Sequence, residues 1–285
     1  METREVPSLT QEYSSNNEKL NVHCFVSSIA SDQHPDINQD AHFFDSDKGI
    51  FGIFDGVGGE KNGQYSAQTS SQIIGDLLNS NNHPFPRDVR ELLKNACNLA
   101  NNTVYNQNQD QDGGTTATFG LLCEIIDDTS QIALAHVGDS RAYLYRMREL
   151  SRLTTDDNLS KFEDKNIQNE LDNAVNQDDL SQQASVFFET RYKITNSIGS
   201  DTKIIPKIII KTVLPNDLVI MTTDGIHDNL TTSEISQIIS QNSQNPELIP
   251  QSLTNAALLR SRENVFRSKP DDMTALVVTF KKEKD

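Results

Sequence analysis

The chain has 285 residues, room for one large domain or two small ones, and 35% of them are hydrophobic, enough for a core. The 41 acidic residues outnumber the 25 basic ones and leave a formal net charge of −16, which argues against nucleic acid and anionic membrane as partners, because both need a cationic face. Three scattered cysteines, Cys24, Cys97 and Cys123, suit neither a disulfide framework nor a zinc finger, so a reducing, cytoplasmic compartment is expected.

Residues 1–20 lack the apolar core of a signal peptide and read as a tail. VHCFVSSIA, from Val22, reads as a strand, and GIFGIF (49–54) as a second, ended by Asp55-Gly56. Residues 63–79 put Ile73, Ile74, Leu77 and Leu78 on one helical face. Residues 88–105 do the same with Val89, Leu92, Leu93, Ala96, Leu99 and Val104, behind a capping box at Asp88-x-x-Glu91. ATFGLLCEI (117–125), QIALAHV (131–137) and RAYLYR (141–146) follow as neighbouring strands. Residues 156–190 are polar and acidic and read as an insertion of weak helical character without a strong apolar face, the kind of segment that often forms a lid. After KIIIKTV (207–213) and DLVIMTT (217–223), Thr231-x-x-Glu234 caps a short helix carrying Ile235, Ile238 and Ile239. A last helix is predicted from about Pro250 to Arg262, then the strand TALVVTF (274–280). No apolar run approaches the ~18 residues of a membrane-spanning helix.

Strands outnumber helices, and many are sequential neighbours rather than alternating with helices. Several are apolar throughout, as in strands buried on both faces. The expected fold is therefore α+β: two mostly antiparallel sheets face to face, with helices outside, in one domain over 21–285.

Acidic motifs recur beside the apolar runs. They are Asn38-Gln39-Asp40, Phe54-Asp55-Gly56-Val57-Gly58-Gly59, Val137-Gly138-Asp139-Ser140-Arg141, Thr223-Asp224-Gly225-Ile226-His227-Asp228 and Asp271-Asp272-Met273-Thr274. A rigid strand end fixes a carboxylate, and an adjacent glycine lets a backbone carbonyl approach an ion. Oxygen donors without cysteine, and with one histidine, suit a hard divalent cation such as Mg²⁺ or Mn²⁺ better than zinc. Any single Asp-Gly is more often a turn; it is the ordered set that points to a metal centre.

The order NQD, FGIFDGVGG, GGTTAT, AHVGDSRAYLYR, LTTDD, TTDGIHDNL and KPDDMTALVV, over about residues 22–281, resembles the metal-dependent protein phosphatase family, protein phosphatase type 2C, in its bacterial form. The resemblance implies a four-layer α-β-β-α sandwich and hydrolysis of phosphoserine and phosphothreonine in proteins by a water activated between two Mn²⁺ or Mg²⁺ ions. It further implies that Asp55 bridges the two ions and Gly56 offers its carbonyl, that Asp224 and Asp271 bind metal, and that Asp40 acts through bound water. Asp139 matches a position that often serves a third ion. Asp55, Asp224 and Asp271 are thereby the expected catalytic set, acting on a phosphorylated protein substrate. The chain is expected to be a monomer.

Five positions depart from the family pattern. Pro35 stands where an arginine commonly binds the substrate phosphate, and neighbouring His34 is the candidate substitute. Asn196 replaces another arginine, Asp157 replaces a histidine, and Val57 stands where animal members carry a histidine proposed as general acid. Asp272 also takes the place of a usual asparagine. Two alternatives accompany the phosphatase reading: a pseudophosphatase that binds a phosphorylated partner with weak catalysis, and a phosphohydrolase acting on a small molecule. The acidic insertion would favour substrates with basic residues around the phosphosite, through Asp156, Asp157, Glu163, Asp164, Glu170, Asp172, Asp178 and Asp179.

Overall fold

A computed structural model describes residues 20–58, 60–80, 88–108, 113–125, 129–158, 165–174 and 176–282. Nearly all of the segment read as a tail, together with Gly59, Glu163 and Asp164, therefore lies outside the described residues. Leu20, assigned to the tail by sequence, opens the first strand.

One sheet joins β1 (Leu20–Ile29) to β12 (Met273–Lys282), then β11 (Leu218–Thr222), β8 (Arg141–Arg146) and β9 (Glu149–Arg152). The other runs β10 (Lys207–Val213), β7 (Thr129–Val137), β6 (Ala117–Ile125), β3 (Ile50–Phe54) and β2 (Ala41–Asp45). Every pairing within them is antiparallel. A short ladder, β4 (Gly56–Val57) with β5 (Gly114–Thr115), stands apart.

The strands that read as apolar throughout are buried on both faces, and alternation decides where each side chain goes. In β3, Phe51 and Ile53 enter the core between the sheets, while Ile50 and Phe54 pack outward beneath helices. In β11, Val219 and Met221 point inward and Leu218 and Ile220 outward. The outer face of the β3 sheet is covered by α1 (Glu60–Ser80) and α2 (Val89–Gln107), through Ile74, Leu78, Leu93 and Ala96. The outer face of the β11 sheet is covered by α6 (Thr232–Asn242) and α7 (Ile249–Ser261), through Ile235, Ile239, Leu253 and Ala257. This is the expected α-β-β-α sandwich.

Both predicted helix starts carry caps. The Asp88 carboxylate accepts the Glu91 N–H at 3.1 Å. At α6 the box is complete: Thr231 Oγ1 accepts from Glu234 N–H at 3.1 Å, and Glu234 Oε2 accepts from Thr231 N–H at 2.8 Å.

The insertion differs from expectation. It contains α3 (Lys165–Asn173) and α4 (Gln182–Thr190), and the two share a small core of Ile167, Leu171, Ala184 and Phe188. Phe266, from the loop ahead of Asp271, closes that core with its ring 5.0 Å from Phe188. The apolar face that the sequence seemed to lack is divided between two short helices, each contributing two residues.

Candidate metal centre

The five acidic motifs meet at one edge of the sandwich. Antiparallel order dictates this: β3, β7 and β11 end there with Asp55, Asp139 and Asp224 next in line, while Asp40 and Asp271 lead into β2 and β12, which begin there. Asp224 opens the single-turn helix α5 (Asp224–His227). Gly56 is held against the start of α1, where a Cβ would lie 2.4 Å from the carbonyl of Gly63. Gly225 approaches the next motif so closely that a Cβ would fall 1.9 Å from the carbonyl oxygen of Asp272. Both glycines are thus required by backbone contact.

Asp40 is 7% exposed; its Oδ2 accepts from Thr223 Oγ1 at 2.9 Å, and its Oδ1 is buried with no hydrogen-bond partner. Asp139 is 3% exposed, and its Oδ1 is likewise buried and unpartnered. Burial, reinforced by the neighbouring carboxylates Asp224, Asp40, Asp271 and Asp139, pushes the Asp55 carboxyl well above the usual range. Asp40 and Asp139 are raised for the same reason, burial first and nearby aspartates after it. Asp224 is raised to about 7 by burial, against the opposing pull of Lys269. Orphaned carboxylate oxygens at an acidic edge are the donor chemistry a hard divalent cation needs, and these residues fit one.

One side chain that sequence reasoning missed lies among them. Lys269 Nζ contacts Asp224 Oδ2 and lies 2.9 Å from Asp271 Oδ2 and 3.5 Å from Asp228 Oδ2. Among the described residues no three His, Cys, Asp or Glu side chains are drawn together tightly enough to hold an ion in this arrangement; part of the cluster closes around the ammonium instead. Asp228 joins the same group of contacts. Its spacing of four from Asp224 was the available signal, since one helical turn puts both on one side.

Asp272 does not face the cluster as a ligand. Its Oδ1 accepts the Ser31 N–H at 2.8 Å and its Oδ2 the Gln39 N–H at 2.7 Å, fastening the loop that carries His34 and Asp40. His34 is half-buried there, with Nδ1 2.8 Å from the Ile37 carbonyl oxygen and 3.6 Å from Asp272. His227 packs inside the fold, with Nδ1 2.9 Å from Thr222 Oγ1. Burial depresses its pKa well below that of an ordinary imidazole.

Two of the departures touch each other: Asn196 Nδ2 donates to Asp157 Oδ2 at 2.8 Å. Asp157 also pairs with Lys207 at 2.5 Å and receives the Gly138 N–H at 3.2 Å, so it braces the turn that presents Asp139. Asp156 lies between Arg141 and Arg152. These two aspartates are therefore engaged within the fold, which corrects the expectation that they face a basic substrate.

An α-β-β-α sandwich with a buried carboxylate cluster at one edge defines a candidate divalent-metal centre. Residues 25–170 match the family profile described as protein phosphatase 2C, and the chain belongs to that family. Protein phosphatase PhpP of Streptococcus pneumoniae is 25% identical over 231 residues, covering 81% of this chain and 85% of that protein. The catalytic domain of the serine/threonine protein phosphatase PstP, solved in complex with two manganese ions, superposes with a TM-score of 0.70 at 18% identity, covering 92% of this chain and all of that one. The serine/threonine phosphatase Stp1 of Staphylococcus aureus gives 0.69 at 19% identity, covering 98% and 99% of the two chains.

Proposed function

We propose that this protein removes phosphate from phosphoserine and phosphothreonine in proteins, using two divalent ions, Mn²⁺ or Mg²⁺, held at the carboxylate edge. The observation that carries the reading is the convergence of Asp40, Asp55, Asp139, Asp224 and Asp271 on that edge, with buried oxygens of Asp40 and Asp139 left without partners. Asp55, the Gly56 carbonyl, Asp224 and Asp271 would hold the ions, and Asp40 would orient water bound beside them. When bound, the ions supply an activated water at neutral pH and neutralise charge on the phosphoryl oxygens.

The chain's own residues do the rest. Thr116 and Ser140 fix the frame behind Asp55: its N–H donates to Thr116 Oγ1 at 3.0 Å, and that hydroxyl lies 2.7 Å from Ser140 Oγ. Asp272 sets the height of the 31–40 loop. His34 is our candidate for contacting the substrate phosphate in place of the arginine that Pro35 displaces. That contact would strengthen when the imidazole takes up a proton. Replacing His34 with alanine is then expected to raise KM for a phosphopeptide at pH 6 more than at pH 8, and a pH-independent KM would remove His34 from the site.

We further assign one catalytic domain over 21–285 with a flap at about 156–190, acting as a monomer. The three cysteines are buried and unpaired, their thiols pushed up to about 12, 12 and 11 by burial, which suits a reducing compartment such as the cytoplasm. Among the described residues no helix is long and apolar enough to cross a membrane.

Hydrolysis of a phosphothreonine peptide with Mn²⁺, with and without chelator, tests the reading. Turnover should vanish with chelator and fall by orders of magnitude in Asp55→Ala and Asp271→Ala, each retaining the wild-type circular dichroism. Activity that survives both substitutions would reject the two-ion assignment.

A further inference from the structure

Along β7, Ile132 and Leu134 face the core between the sheets, and two residues on, His136 takes the same face towards the metal edge. It is fully buried, with Thr118 opposite it on β6. Both ring nitrogens have partners: Nε2 lies 3.0 Å from the Thr155 carbonyl oxygen, and Nδ1 lies 2.9 Å from Thr118 Oγ1. A carbonyl only accepts, so Nε2 carries the hydrogen. Burial lowers the pKa of this imidazole to about 4, which keeps it neutral near pH 7 and leaves Nδ1 as an acceptor for the Thr118 hydroxyl. The surroundings therefore select one protonation state and one tautomer.

The two partners lead in opposite directions. From Thr118 the bonds run on to Asp55: Thr118 Oγ1 is 3.0 Å from the Ser140 carbonyl oxygen, Ser140 Oγ is 2.7 Å from Thr116 Oγ1, and Thr116 Oγ1 accepts the Asp55 N–H at 3.0 Å. Thr116, Thr118 and Ser140 are all fully buried, where each such bond is stronger than it would be in water. Thr155, at the other end, stands at the root of the flap and also accepts from Lys207 Nζ at 2.8 Å. Two residues on, the Asp157 carbonyl oxygen accepts the N–H of Thr195 at 2.7 Å and its hydroxyl at 3.0 Å. The segment that enters the flap and the segment that leaves it thus meet beside Thr155.

We propose that His136 is a positioning residue that acts through Thr118, Ser140 and Thr116 on Asp55, holding that carboxylate in place and tying its position to the root of the flap. The inference rests on the two-ion phosphatase reading. His136 contacts neither substrate nor ion in this role. Its part is to join, through one ring, the backbone at Thr155 to the buried hydroxyls behind Asp55.

The test separates hydrogen bonding from the filling of space. His136→Phe keeps a ring and loses both bonds, whereas Thr118→Val keeps the histidine and cuts the link towards Asp55. Full-chain wild type, the two single variants and the double variant are assayed on p-nitrophenyl phosphate with saturating Mn²⁺, with melting temperature recorded alongside. Each single variant should lose about tenfold in kcat with KM within about twofold, and the double variant should lose no more than the larger single loss. Losses that multiply in the double variant, or wild-type kcat in Thr118→Val, would overturn the proposal. Nitrogen-15 NMR of the metal-free protein should show His136 as the neutral Nε2–H form from about pH 6 to pH 8, and the Asp55 amide should exchange with solvent faster in both single variants than in wild type. A hydrogen on Nδ1, or Asp55 exchange unchanged in both variants, would also overturn it. These two readouts need no turnover, so the two readings fail differently. An active wild type with insensitive variants removes His136 from the mechanism and leaves the phosphatase reading intact, whereas a wild type without Mn²⁺-dependent turnover overturns both. Should His136→Phe fail to fold, Thr118→Val decides alone, through kcat and the Asp55 amide.

Discussion

Asp272 stands one residue from a predicted ligand, yet it spends both oxygens on the backbone. The Ser31 and Gln39 amides it receives belong to the loop between β1 and β2, and Asp272 is 3% exposed. Alanine there would leave two N–H groups without an acceptor in a nearly dry place, at roughly 1–3 kcal/mol each. We expect Asp272→Ala to lose about 2–5 kcal/mol in urea unfolding, and Asn, which keeps one acceptor oxygen, to lose about half of that. An equal loss in the two variants would mean that the oxygen retained by Asn contributes nothing, and no loss in the Asn variant would mean that the second amide finds another acceptor. The asparagine usual in this family could bond only one of these amides with its oxygen, so the aspartate reads as a local adjustment of this chain's 31–40 loop. Asp157 and Asn196 tell a similar story, two departures that meet in one hydrogen bond of 2.8 Å.

At the scale of elements, the flap is better built than its sequence suggests, and it grips the site from two sides. Phe188 packs against Phe266 on the loop that leads to Lys269 and Asp271, and Arg191, just past α4, pairs with Asp228. Its acidic side chains are partly engaged within it: Glu170 accepts the Ser181 N–H at 3.1 Å and Asp179 the Asn176 N–H at 2.8 Å. Shortening 162–185 to a Gly-Ser linker keeps Arg191 but removes Phe188's immediate support. Turnover of p-nitrophenyl phosphate should stay within a few-fold, while kcat/KM for basic phosphopeptides falls much further. Equal losses on both substrates would show that the flap holds the metal ligands themselves. The sandwich strands were legible because burial on both faces writes continuous apolar runs such as IFGIF and LVIMT. The carboxylates were legible because each sits where such a run stops or starts. The flap core was not, because Ile167 and Leu171 on one helix and Ala184 and Phe188 on another make no periodic stripe until they are brought together. Lys269 was not legible either: in sequence it is a lysine in a polar loop, and only the turn after α5 brings it to Asp224.

Over the whole molecule, charge sets how metal and pH act together. In the metal-free protein Asp40, Asp55, Asp139 and Asp224 all have raised carboxyl pKa values, with burial as the leading cause, and Asp224 reaches about 7. A group raised on folding stabilises the native state while it is protonated, and that contribution is lost as pH rises through its folded pKa. Buried histidines act in the opposite sense. His136 is lowered to about 4 and His227 well below an ordinary imidazole, both by burial, so their cost appears as pH falls below the ordinary imidazole range of about 6.5. The depressed carboxyls, Asp156 between Arg141 and Arg152 and Asp228 beside Lys269 and Arg191, matter only below about pH 4. Four raised carboxyls outnumber the two lowered histidines, so chelated protein should lose melting temperature as pH rises from about 5 towards 8. Divalent ions that bind only the folded state add RT ln(1 + [L]/Kd), about 2.7 kcal/mol at a hundredfold excess over Kd. They bind ionised carboxylates, so the rise in melting temperature on adding Mn²⁺ should grow from pH 6 to pH 8. Thermal unfolding in chelator and in Mn²⁺ across pH 5–8.5 measures both trends. A chelated protein whose stability climbs steadily to pH 8.5 would contradict the carboxylate cluster as the source of the strain, and an Mn²⁺ shift independent of pH would contradict its role as the metal site.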